Sequence, residues 1–171
     1  MNDLLDAHPF RHQSLDDAVA LSRAMSIIKP EQLLRLYMTR NKLTDKGCAA
    51  LAAGCADCPN FELFYLQKNQ IGDGGLAAIA STMKQSTMWQ LVLTENVITD
   101  VGVKAFAASV ADGKSFLKMK TLYLDTNVGI TDEGCCALAK VPRAVTQHTH
   151  GPAQAAALAG ALGARARPRS L

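Results

Sequence analysis

The chain has 171 residues, enough for one domain with a hydrophobic core and few for two. Apolar residues make up 49% and charged residues 19%, which excludes a disordered or collagen-like chain; aromatics at 5% leave the core to Leu, Ile, Met, Cys and Ala. Residues 1–140 hold 14 basic and 15 acidic side chains, a net of −1, and the overall +3 arises from Arg143, Arg165, Arg167 and Arg169, so no broad basic surface for nucleic acid is expected.

The chain opens Met1-Asn2-Asp3-Leu4-Leu5-Asp6, with acids where a secretory signal needs a basic start. Ser14 and Asp17 give a capping signal, and Ala18, Leu21, Met25 and Ile28 share one helical face before Pro30 breaks it. A helix over about 15–28 is predicted.

From Leu33 onward the sequence repeats. Asn41, Asn69, Asn96 and Asn127 are spaced by 28, 27 and 31 residues. Three residues before each stands Met38, Leu66, Leu93 or Leu124; five before, Leu36, Phe64, Leu91 or Leu122; eight before, Leu33, Phe61, Met88 or Met119. After the asparagine come Leu43, Ile71 or Ile98, then Asp45, Asp73 or Asp100, then Gly47, Gly75 or Gly102. The fourth unit runs one residue late, as Ile130, Asp132 and Gly134, because Val128-Gly129 occupies the turn. Alternation over Leu36-Tyr37-Met38 sends residues 36 and 38 inward and 37 outward, the mark of a short strand. Thr44, Thr99 and Thr131, each followed by Asp, suit helix N-termini, and helices are predicted at about 46–55, 74–84, 101–110 and 133–140. An asparagine amide leaving each strand can bond backbone groups of its neighbour, so stacked copies would form a ladder. Counting back 28 residues from Asn41 reaches Gln13, with Phe10 in the strand phase, and residues 1–32 read as a degenerate repeat or helical cap.

This pattern resembles the leucine-rich repeat family, and within it the ribonuclease-inhibitor-like class, most closely over Leu36 to Gly47 and Leu122 to Gly134. The resemblance implies an α/β fold: a short right-handed βα horseshoe arc over residues 33–140, with a parallel concave sheet and outer helices. No repeat buries its apolar side alone, so each depends on its neighbour.

Beyond Lys140 the pattern lapses. A fifth asparagine is due near position 155, where Pro152-Ala153-Gln154-Ala155-Ala156-Ala157 offers neither asparagine nor a strand pattern. Residues 141–171 read as an Ala/Arg-rich tail, helical within 153–164 and otherwise disordered. Its longest uncharged apolar stretch falls short of the roughly 18 residues a membrane span requires, so no membrane association is expected.

The three tyrosines, Tyr37, Tyr65 and Tyr123, each lie four residues before a repeat asparagine, with Val92 in the same phase of the third unit. That phase faces out of the sheet onto the concave side. Thr39, Gln67, Thr94 and Asp125 follow two residues later, then Arg40, Lys68, Glu95 and Thr126. Tyrosine is a good strand residue in its own right, but an amphipathic aromatic row edged by polar groups also suits a protein-binding surface. Other constellations carry less. Cys55 and Cys58 form a lone pair without the four ligands of a closed zinc site, Cys48, Cys135 and Cys136 follow repeat glycines where small apolar residues pack, and all five read as reduced structural thiols in a reducing compartment. The pairs His8/His12 and His148/His150 lack neighbouring carboxylates at ligand spacing.

The sequence therefore points to a non-enzymatic module, cytoplasmic or nuclear, that needs no cofactor or metal and binds a protein partner through the concave face. Sites are expected at Tyr37, Thr39, Tyr65, Gln67, Val92, Thr94, Tyr123 and Asp125. The resemblance also implies an alternative, regulation of a small GTPase in the manner of the Ran GTPase activator. Four strands about 4.8 Å apart span only about 15 Å, against the roughly 800 Å² per partner of a standard interface, so contributions from flanks, from a further copy or from a longer parent are expected.

Overall fold

The computed structural model describes residues 33–111, 118–140 and the backbone of 146–148. Strands and helices alternate through them: β1 (Arg35–Tyr37), α1 (Asp45–Ala56), β2 (Leu63–Tyr65), α2 (Asp73–Thr82), β3 (Gln90–Val92), α3 (Asp100–Val110), β4 (Thr121–Tyr123), α4 (Asp132–Ala139) and β5 (Thr146–His148). The five strands form one parallel sheet in chain order, with Leu36, Phe64, Leu91 and Leu122 in register. Each helix packs against the next, giving an α/β repeat solenoid with one layer of strands and one of helices.

The period of two decides which side chains enter the core. The twelve apolar positions three, five and eight residues before the asparagines are all buried between sheet and helices. From the helices come Leu51, Ile79, Phe106 and Leu138, four residues after each repeat glycine, and all are buried. Each layer is one repeat thick, so the core continues only because the next repeat covers it.

The strands are three residues long, yet the ladder between repeats continues beyond them. The N–H groups of Met38 and Arg40 donate to Tyr65 and Gln67 carbonyls at 2.8 and 3.0 Å, and Leu66 and Lys68 repeat the pattern on Val92 and Thr94. To make this turn, Arg40, Lys68, Glu95 and Thr126 adopt left-handed backbone with φ of 62°, 58°, 54° and 59°. Such a conformation costs an L-residue about 1 kcal/mol or more, offset at Arg40, Lys68 and Glu95 by a hydrogen bond to the following repeat.

The asparagines form the ladder that their spacing predicts. Asn69 Oδ1 accepts from the Asn41 and Leu43 N–H groups at 2.9 and 3.0 Å, while its Nδ2 donates to the carbonyls of Met38 and Leu66, both at 2.8 Å. Asn96 accepts from Ile71 N–H and donates to Leu66 and Leu93; Asn127 accepts from Ile98 N–H and donates to Leu93 and Leu124. Each amide is buried and joins two repeats.

The acids are the first residues of their helices, and their carboxylates reach the following repeat. Asp45 accepts from Gly72 N–H at 2.6 Å; Asp73 accepts from the N–H and hydroxyl of Thr99, and Asp100 from those of Thr131 and from Gly134 N–H. This explains the repeat glycine. A Cβ on Gly102 would lie 2.9 Å from Asp73 Cα and against its carboxylate, and Gly134 faces the Asp100 carboxylate in the same way. Aspartate and the next repeat's glycine are therefore two halves of one contact. The expected threonine caps form at Thr99 and Thr131, which accept from Val101 and Glu133 N–H. Thr44, the third expected cap, makes no such bond.

The observed helices begin one residue before the predicted starts. β5 departs from the expectation of a tail without strand. Its register sets Gln147 opposite Leu122, so the apolar signature of the other strands is missing, and His148 follows Tyr123 by 25 residues, a shorter step than any between the asparagines. The expected repeat or cap over 1–32, its helix at 15–28 and the helix within 153–164 lie outside the described residues.

Candidate functional site

The sheet face opposite the helices carries the tyrosine row. Parallel register puts Tyr37 beside Tyr65, Tyr65 beside Val92, and Val92 beside Tyr123. The rings of Tyr37 and Tyr65 stack with centroids 4.7 Å apart and planes 25° from parallel. All three tyrosines are half-buried. Burial raises the Tyr65 hydroxyl above the usual phenol range, helped by the Tyr37 and Tyr123 phenols, while Arg35 and a hydrogen bond with Gln90 pull it the other way.

Val92 is the exception in this row. It is only 5% exposed, so it forms a floor between its larger neighbours Tyr65 and Tyr123 and presents little surface of its own. Two positions before the tyrosine phase stand Arg35, Leu63, Gln90 and Thr121; Leu63 is buried and adds to this floor.

The polar row that follows is brought together as its phase predicts. Thr39, Gln67, Thr94 and Asp125 are half-buried along one line, and the Thr94 hydroxyl donates to Asp125 at 3.1 Å. Beyond it Lys68 and Glu95 pair across adjacent repeats at 3.0 Å. The arrangement offers hydrogen-bond donors and acceptors beside aromatic faces, which suits recognition of a polypeptide.

Sequence reasoning missed a second feature, the rim where strands turn toward helices. Directly after the asparagines stand Lys42, Gln70, Val97 and Val128, all exposed, with Val97 55% and Val128 91% open. The signal was available: it is one more column of the repeat, and in it charge gives way to apolar character along the chain. It also missed the surroundings of the single tryptophan. Trp89 lines a groove of about 270 Å³ with Pro59, Glu62, Thr87, Lys118 and Lys120, near the N-terminal ends of the strands.

The cysteines lie away from the concave face. Cys48, Cys55, Cys58 and Cys135 are buried, and Cys136 is half-buried. Burial, with Asp45 nearby, pushes the Cys48 thiol up to about 12, and Cys55 and Cys58 are raised chiefly by burial. The Cys48 and Cys58 thiols donate to the carbonyls of Gly75 and Gly54. Among the described residues, no three His, Cys, Asp or Glu side chains gather as metal ligands, and no helix is long and apolar enough to cross a membrane.

Comparison with known proteins agrees with this geometry. Residues 32–52, 57–80 and 85–107 match the family profile described as Leucine Rich repeat. Leucine-rich repeat-containing protein 42 of Xenopus laevis is 38% identical over 64 residues, which are 37% of this chain and 15% of that protein. The chain thus spans about 15% of the length of that curated relative. Among solved structures, a chain titled Leiomodin-1 Actin-Binding Site 2 superposes with a TM-score of 0.67, covering 88% of both chains at 16% identity, a likeness of fold. The three stretches are thus similar to leucine-rich repeats, and the fourth unit, residues 119–139, continues the same strand, asparagine and helix pattern.

Proposed function

We propose that the chain is a non-enzymatic protein-interaction module of the ribonuclease-inhibitor-like class that binds a protein partner through its concave sheet face. The observation that carries this reading is the convergence of Tyr37, Tyr65 and Tyr123 on one open face, edged by Thr39, Gln67, Thr94 and Asp125, with Val92 as the floor. Half-exposed tyrosines supply large contact area with few torsions to freeze on binding, the quality that makes them frequent interface anchors. The stacked pair is already ordered, which lowers the entropy lost on association. The repeat families to which the chain is similar support a binding role, and the structural neighbour is itself titled an actin-binding site. Free cysteines suit the reducing interior of a cell, where we place the protein.

The experiment is capture of partners on the immobilised chain, comparing the native sequence with Tyr65→Ala/Tyr123→Ala. A partner retained by the native chain and lost by the variant, at unchanged circular dichroism, is the expected result. Equal capture by both would reject the concave face.

A further inference from the structure

Two files of residues flank the buried asparagines on the rim. Ahead of them stand Arg40, Lys68, Glu95 and Thr126, and behind them Lys42, Gln70, Val97 and Val128. The ladder fixes their order in space, because the Gln70 and Val97 N–H groups donate to the Leu43 and Ile71 carbonyls of the repeat before, at 2.8 and 2.9 Å. Left-handed backbone at Arg40, Lys68, Glu95 and Thr126 is part of the same recurring turn.

The character of the rim changes along the solenoid. The first repeat presents two exposed cations, Arg40 and Lys42, with no acid at either position. In the middle, Lys68 and Glu95 neutralise each other at 3.0 Å. At the far end the file behind the asparagines is apolar, with Val97 and Val128 exposed beside the equally exposed Glu95 and Thr126, and Val128 is the most open large apolar residue described. A positive end, a neutral middle and an apolar end are thus laid out across four repeats, over about 15 Å at the usual strand spacing.

We infer that this rim takes one extended segment of the protein partner, acidic at one end and apolar at the other. An extended chain advances about 3.3 Å per residue, so the acidic and apolar anchors lie about five residues apart. Carboxylates of the segment pair with Arg40 and Lys42, and its aliphatic side chains cover Val97 and Val128, which the fold otherwise leaves to water. The inference rests on the interaction-module reading and adds to it the chemistry of the segment. Charge complementarity selects an acidic sequence over a basic one, and the valines select leucine-like over hydroxyl side chains.

The test uses rhodamine-labelled heptapeptides read by fluorescence anisotropy with the full chain. The probes are Glu-Glu-Ser-Gly-Ser-Leu-Leu and its reverse, with Lys-Lys and Ser-Ser versions replacing the acidic and the leucine ends. One acidic and leucine-ended probe should bind about tenfold or more tightly than its lysine counterpart at low salt. Arg40→Glu/Lys42→Glu should invert that preference, and Val97→Ser/Val128→Ser should erase the advantage of leucine over serine. Equal binding of acidic and lysine probes, no binding of either acidic probe, or affinities untouched by the rim variants would each overturn the inference. The two readings fail separately: a partner lost on Tyr65→Ala/Tyr123→Ala but indifferent to the rim variants removes the rim alone, and the converse pattern removes the tyrosine face alone.

Discussion

Replacing single asparagines by alanine should destabilise the solenoid in an order set by how many backbone groups each amide serves. Asn69 satisfies two buried N–H groups, those of Asn41 and Leu43, whereas Asn96 satisfies one, that of Ile71. The Leu66 and Leu93 carbonyls that Asn96 bonds also receive Asn69 and Asn127, so its loss leaves each with one bond. A buried donor left without a partner costs about 1–3 kcal/mol. Asn96→Ala should therefore cost about 1–3 kcal/mol and Asn69→Ala about 2–6 kcal/mol, against a total of about 5–15 kcal/mol for a domain. Asn41→Ala should cost less than either, because among the described residues Asn41 Nδ2 has no hydrogen-bond partner to lose. The assay is urea unfolding followed by circular dichroism, with slopes compared to check that the repeats still unfold together. Equal losses at Asn69 and Asn96, or a loss at Asn41 as large as that at Asn69, would refute the assignment of stability to inter-repeat amide bonds.

Gly102→Ala should lower stability by about 1–3 kcal/mol by overpacking, because the added methyl meets Asp73 backbone; Gly74→Ala, whose methyl would meet chiefly the flexible Asp45 carboxylate, should cost less in the same unfolding assay. Asp100 is held below the usual carboxylate range: its partial burial alone would raise it, but hydrogen bonds from Thr131 and Gly134, aided by Lys104, outweigh that. Its contribution is present above the unfolded-state value of about 4 and is lost as pH falls through the lower folded value. Asp100→Asn should therefore be less stable than the native chain at neutral pH and approach it in acid, as read from urea midpoints across the range. Alkylation with iodoacetamide under native conditions, mapped by mass spectrometry, should label Cys136 first and spare Cys48, Cys55, Cys58 and Cys135 until denaturant is added; early labelling of Cys55 or Cys58 would contradict their burial.

The fold was legible because one spacing carried three physical demands at once. Apolar alternation named the inward residues, the asparagine marked the turn, and the threonine and aspartate marked where each helix begins. The glycine's reason was not legible, since it depends on a carboxylate 29–34 residues earlier, and only the stacked repeats bring Asp73 to Gly102 and Asp100 to Gly134. Val92 shows a second limit. Its phase gave its direction correctly, but its exposure depends on the size of Tyr65 and Tyr123 beside it. β5 shows a third: a strand held by main-chain pairing with β4 needs no apolar signature of its own, and Gln147 hid it. The rim was hidden by attention to strands, although Lys42, Val97 and Val128 were a column of the same repeat.

Residues sharing a place in the repeat share a direction in space, with the tyrosines on one face. Nuclear Overhauser measurements on the chain labelled only at tyrosine test it directly, since three residues give a spectrum free of overlap. Strong ring-to-ring cross-peaks between Tyr37 and Tyr65, with all three rings broadened by a soluble paramagnetic agent, are the expected result. Absence of those cross-peaks, or tyrosines shielded from the agent, would contradict the account.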